Sequence, residues 1–239
     1  MQSDYVPYNA TKDVIMPPTD NLLKNSFYFT YVFLITTGTI TFIEALRTKN
    51  SNIRHVMNLE TCISIIAAFF YSLFVEKIKK AEELAKPLPY SEINILRYTD
   101  WFISTPLMLL VLCIVLSMEK KKTLSFSTYL IVLLLDFAML GLGYIGDIEK
   151  IDKKLALILS FFCFFLLFGF IWYTFMNKGR NSFGANLSYF SFLVFWSSYG
   201  LVYMMDEETK NVAFNILDLI AKAIIGIFFW MYFTGAVSF

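Results

Sequence analysis

Residues 211–237 read NVAFNILDLIAKAIIGIFFWMYFTGAV, an apolar run of membrane-crossing length with a carboxylate and an ammonium, Asp218 and Lys222, set in its interior. On a helix the i,i+4 spacing brings these two side chains onto one face. A lysine costs roughly 2.5 to 3.5 kcal/mol to place in the middle of a membrane on insertion scales, so it needs its counter-charge beside it and a bundle interior to face. Held in that way, Lys222 can be a salt-bridge partner, an ion ligand or the amine of a Schiff base.

The rest of the chain supplies the bundle. It is 57% hydrophobic and 18% aromatic, with a mean hydropathy of +0.60, and 239 residues cannot hide that much apolar surface in one soluble core. Seven stretches are long enough to cross a hydrocarbon layer of roughly 30 Å: about 26–46, 57–76, 95–117, 124–145, 154–176, 185–205 and 211–237. With no water to satisfy the backbone there, all are expected to be helices. The fold class is an all-α, seven-transmembrane helix bundle forming a single domain over 1–239.

The connections after the first, third and fifth spans are basic, with Arg47, Lys49 and Arg54, then Lys120, Lys121 and Lys122, then Lys178 and Arg180. The other connections balance acids against bases or carry an acidic excess, as at Asp206, Glu207 and Glu208. The N-terminus is therefore expected outside and the C-terminus in the cytoplasm. Residues 1–25 form an extracellular segment without the features of a signal peptide. It contains the acceptor tripeptide Asn9-Ala10-Thr11. Cys62, Cys113 and Cys163 lie within spans, lack metal-ligand spacing and read as packed free thiols. A net charge of +1 and a single histidine, His55, argue against nucleic-acid binding and a histidine metal site.

The third span reads Arg97-Tyr98-Thr99-Asp100-Trp101-Phe102-Ile103-Ser104-Thr105-Pro106-Leu107. Arg97, Asp100 and Ser104 fall at i, i+3 and i+7, one face of a helix. A structural salt bridge explains two of them. It does not explain why the fourth span adds Asp136 and the seventh adds Asp218 and Lys222, because each buried charge must be compensated.

At these residues the chain resembles the microbial (type 1) rhodopsins. The third span is similar to the family's R-Y-x-D-W-x-x-x-T-P-L, Trp196-Ser197-Ser198-Tyr199 to its W-S-x-Y, and Leu217-Asp218 with Ala221-Lys222 to its L-D-x-x-x-K. Asp136, Met139 and Gly143 resemble its D-x-x-M-x-x-x-G, and Tyr71 matches a tyrosine beside the counterions. The resemblance implies all-trans retinal bound to Lys222 as a protonated Schiff base. Asp100 would be the primary counterion and proton acceptor and Asp218 the second, two carboxylates that keep an iminium protonated in the dark. Arg97 would lie outward of them, and Tyr71 and Tyr199 would donate hydrogen bonds on the Asp218 side. Trp101 and Trp196 would sandwich the polyene, with Thr105, Pro106 and Met108 along it and Met139 and Gly143 at the ring end. Thr105 would bond Asp136. The implied role is that of a photoreceptor and ion-transport protein rather than an enzyme, in a lipid bilayer, and homo-oligomers are common in the family.

Departures from the pump pattern bear on what moves. The acceptor, hydroxyl and donor positions read Asp100, Ser104 and Val111, and a valine carries no proton. Gly200 replaces a usual proline and Tyr203 a common tryptophan. Of the outward acids used for proton release, Glu208 matches one, while Lys210 lies near the other. Glu60, eleven residues before Tyr71, would point into the bundle with it. Glu44 falls one turn before Arg47, where the two would pair. With Asn58, these acids would form a cytoplasmic constriction that favours cations. Either acid would alternatively be an ordinary helix-end carboxylate reaching water.

Among rhodopsins the chain looks most like those of large DNA viruses of algae, which implies a light-gated cation channel in a host membrane. An outward proton pump with Glu60 or bulk water as donor, and a photosensor, are the alternatives. An anion pump is disfavoured by Asp100.

Overall fold

The computed structural model describes residues 21–121, 123–177 and 179–236, and within them the chain forms seven helices. Helix α1 spans Asn21–Arg47, α2 Ser51–Glu83, α3 Tyr90–Glu119, α4 Phe126–Asp147, α5 Lys153–Met176, α6 Phe183–Val202 and α7 Glu207–Thr234. The tripeptide at Asn9, most of the N-terminal segment, Lys122 and Lys178 lie outside the described residues.

Each start has a local cause. Asn50 caps α2, its Oδ1 accepting from the Asn52 N–H at 3.0 Å. Ser125, Asp152, Ser182 and Asp206 cap α4 to α7 in the same way. The bonds Asp206 accepts from the Thr209 backbone and side chain hold its carboxyl below the usual range. Gly235, with φ at +70°, ends α7 in the left-handed conformation that glycine adopts without strain.

All seven expected spans are helical, and the differences lie at their ends. Helix α2 runs 33 residues, about 50 Å, well beyond the apolar stretch. Its outer turns are stitched to neighbouring helices by Lys24–Glu82 and Lys77–Glu92 ion pairs. Six of the seven helices are long and apolar enough to cross a membrane by length and composition. The other, α6, carries Asn186, Ser188, Ser191, Ser197 and Ser198.

Two helices depart from regular α geometry. Residues Trp172–Met176 end α5 in a π-helical turn, and Leu219–Ile224 form another inside α7, where the Ile225 N–H reaches back to the Ile220 carbonyl. Such turns widen the helix locally and are frequent at functional sites. Lys222 sits in this second turn.

The core is divided. One apolar cluster, around Met57, Leu112, Phe168 and Phe229, fills the half towards the α1–α2 connection, here called the inner half. Two others fill the opposite, outer half, one around Phe27, Tyr71 and Phe74 and the other around Tyr98, Trp101 and Phe214. The buried charges lie where these clusters meet. The thiols are all free, and Cys62 lies exposed on the outside of α2 rather than packed.

Candidate functional site

Lys222 is 2% exposed, and its Nζ lies 2.6 Å from Asp100 Oδ2 on α3 and 3.7 Å from Asp218 Oδ1 one turn earlier on α7. Asp218 has a full complement of donors. Its Oδ1 accepts from the Tyr199 hydroxyl at 2.8 Å and Trp101 Nε1 at 3.3 Å, and its Oδ2 from the Tyr71 hydroxyl at 2.9 Å and Arg97 Nη1 at 3.3 Å. Asp100 is held differently. Its Oδ2 takes the Lys222 ammonium, and its Oδ1 and the Ser104 Oγ, one turn further along α3, are both buried. Two carboxylates and two cations make the cluster neutral, which is the condition for burying it.

Arg97, 1% exposed, closes the outer side. Its Nη2 donates to Asn211 Oδ1 at 3.0 Å and Asn215 Oδ1 at 2.8 Å, and Phe27, Phe74 and Phe214 surround the guanidinium within 5.7 Å. Sequence reasoning missed both asparagines. Their spacing could have found them, because 211, 215, 218 and 222 repeat on one helical face.

From Lys222 a cavity runs between Trp101 and Trp196 to Gly143 and Ser160, enclosing about 780 Å³ of empty space with its mouth included. Thr105, Met108, Met139 and Tyr199 line it. Gly143 leaves room for the Tyr98 hydroxyl, which a Cβ would approach at 3.1 Å, and Gly200 leaves room for Phe161, whose ring a Cβ would approach at 2.5 Å. Gly200 thus has a packing role at the usual proline position. Pro106 does not line the cavity; its carbonyl accepts from the Tyr129 hydroxyl at 2.8 Å. The expected Thr105–Asp136 contact is present at 2.8 Å. A long apolar slot with a buried primary amine at its end, flanked by carboxylates, fits an aldehyde with an extended hydrocarbon chain, which can form an iminium there and leave its charge compensated.

Farther inward, the expected polar group comes only partly together. Glu60 is 3% exposed, so it is no helix-end acid reaching water. Its carboxylate lies where a Cβ on Gly226 would approach it at 3.0 Å, beside Thr37. Ser64, one turn towards Lys222, is buried with an unpartnered hydroxyl. Asn58 is on the exposed side of α2, because two residues along a helix turn the side chain about 200°. Glu44 is half-buried and makes no ion pair with Arg47 among the described residues. Val111 is fully buried in the apolar inner cluster. At the outer end Glu208 is exposed; the acid that turns inward is Glu207, bonded to Lys210 at 2.6 Å.

A seven-helix bundle whose buried lysine and carboxylates open onto an apolar slot defines a class of light-absorbing membrane proteins. Residues 22–236 match the family described as bacteriorhodopsin-like protein, and the chain belongs to that family. It is 44% identical to viral rhodopsin OLPVRII, covering 91% of this chain and 100% of that one with a TM-score of 0.83. Xanthorhodopsin, described as a light-driven ion pump with dual chromophore, has the same fold at 20% identity and a TM-score of 0.74, covering 90% of this chain and 93% of that one. Opsin-1 of Neurospora crassa is 26% identical over 151 residues, 56% of this chain and 47% of the relative, so the match spans about half of that protein's length. The family binds retinal through a Schiff base on a lysine, and the protein is an integral multi-pass membrane protein with retinal as its cofactor.

Proposed function

We propose that Lys222 carries the retinal, that Asp100 takes its proton after illumination, and that the protein conducts cations passively while lit. Bound retinal supplies absorption of visible light and an isomerisation that changes the surroundings of the Lys222 nitrogen. The chain supplies the remainder. Asp100, 2.6 Å from that nitrogen and with one oxygen unpartnered, is the acceptor. Asp218 is held by four donors, one of them the Arg97 guanidinium, and is the second carboxylate beside that nitrogen. Trp101 and Trp196 hold the slot, and Thr105 ties its α3 wall to Asp136 on α4.

One observation favours conduction over pumping: a buried carboxylate of the inner half, Glu60, lies among α1, α2 and α7, while the Val111 position of α3 carries none. Thr37, Ser64 and Glu60 make a polar strip there, whereas Val111, Leu112 and Val115 seal α3 with apolar side chains. A strip of carboxylate and hydroxyls favours cations over anions. The 2.6 Å Lys222–Asp100 pair suits an outward proton pump equally well, and that is the second reading.

Photocurrent against clamped voltage, in retinal-supplied cells at several external cation compositions, separates the two. Reversal near a cation equilibrium potential is expected, with Glu60→Gln altering the size or kinetics of the current and leaving the colour almost unchanged. Outward current of one sign at all voltages would establish the pump.

A further inference from the structure

The end of the slot far from Lys222 carries more hydroxyls than a hydrocarbon ring can use. Nearer the lysine, the Thr105 and Tyr199 hydroxyls are bound to Asp136 and Asp218. Where the cavity reaches Gly143, three others line it, from Tyr98 on α3, Ser160 on α5 and Tyr203 just after α6. Two of these are committed as donors. Ser160 Oγ donates to the Met139 carbonyl at 3.1 Å and the Tyr203 hydroxyl to the Gly143 carbonyl at 2.9 Å. Each oxygen keeps its capacity to accept.

Tyr98 differs from both. It is 7% exposed, and its ring is held edge-on by Trp101 and Tyr144, each with its centroid 5.3 Å away. Its hydroxyl makes no hydrogen bond among the described residues. That hydroxyl lies 3.1 Å from the place a Cβ on Gly143 would take, and Ser160 Oγ lies 3.8 Å from the same point. Leu140, Leu157 and Phe161 complete this end with apolar surface. The slot therefore ends in one free donor and two free acceptors inside an apolar frame, and buried polar groups call for partners. An unsubstituted hydrocarbon ring would leave all three unanswered. A ring ketone would answer the donor alone. A ring hydroxyl would accept from Tyr98 and donate to Ser160 or Tyr203, answering both kinds.

We propose that this end of the slot selects a retinal whose ring carries a hydroxyl, with Tyr98 as the specificity-determining donor and Ser160 and Tyr203 as acceptors. A site built to bond a ligand hydroxyl rejects the analogue lacking it, because its own polar groups are then left unpaired. The inference rests on Lys222 as the point of attachment and is independent of what the protein transports.

In the test, membranes from cells expressing the full chain without retinal receive a limiting, equimolar mixture of all-trans retinal and all-trans 3-hydroxyretinal. Bound chromophore is then released with hydroxylamine and identified by chromatography. The hydroxylated aldehyde should be enriched about tenfold, the scale of one additional hydrogen bond, and 4-oxoretinal in the same competition should rank between the two. Tyr98→Phe, which keeps the ring and removes the hydroxyl, should bring the ratio close to one. A ratio near one in the unsubstituted protein, or an enrichment that survives Tyr98→Phe, would overturn the proposal. Where Tyr98→Phe fails to fold, the order of the three aldehydes in the unsubstituted protein decides, and 4-oxoretinal ranking first would overturn it. No visible band with any of the aldehydes would remove the attachment at Lys222 and this inference with it, whereas a band without preference would remove this inference alone.

Discussion

Lys222 is the lysine in the wall of the cavity between Trp101 and Trp196, so Lys222→Ala should leave the protein colourless after retinal is added, as an absorbance spectrum would show. A visible band in that variant would move the linkage elsewhere. The Asp100 carboxylate, 2.6 Å from the nitrogen, localises positive charge at that end of the chromophore. Asp100→Asn should therefore shift the absorption maximum to the red, and an unshifted band would deny Asp100 the counterion role. These residues were legible because a charge in an apolar stretch is itself the signal, and helical spacing says which charges meet. Asn211 and Asn215 carry no charge to mark them, since an amide costs far less to bury than an ion, and only their spacing on the Asp218 face of α7 pointed to them. Glu207 was passed over for Glu208 because near a helix start one residue of register, about 100°, decides which acid faces Lys210. The same geometry misplaced Asn58 beside Glu60.

At the scale of helices, hydropathy found every span and misjudged their lengths. The outer turns of α2 are charged and held by neighbouring helices rather than by lipid, and a hydropathy window does not register that support. The π turns at Trp172–Met176 and Leu219–Ile224 were invisible for another reason: periodicity is tested at 3.6 residues per turn, and a single wider turn leaves no repeat. Among the described glycines the closest approach is at Gly146 on α4, where a Cβ would fall 2.2 Å from the Ala156 Cβ and 2.5 Å from the Tyr203 hydroxyl. The alanine methyl has no rotamer to escape into. Gly146→Ala should force α4 and α5 apart at a cost of about 1 to 3 kcal/mol, read as faster thermal bleaching of the visible band. Bleaching at the unsubstituted rate would mean the helices separate without penalty.

For the whole molecule, the bundle and its retinal chemistry were legible because lipid allows few alternatives to helices and punishes every stray charge. The direction and identity of the transported ion were not, because they depend on which few polar side chains line up across helices far apart in sequence. Glu60 on α2 and Gly226 on α7 meet in space with no local motif linking them. The polar composition of α6 bears on how such a bundle is made. A segment with Asn186 and four serines gains little by leaving the translocon for lipid alone. Its Ser197 and Ser198 hydroxyls bond back to the Val194 carbonyl, and its Tyr199 reaches Asp218 on the helix that follows. Biogenesis should therefore deliver α6 to the bilayer together with α5 or α7, making the retinal slot a product of the last step of insertion.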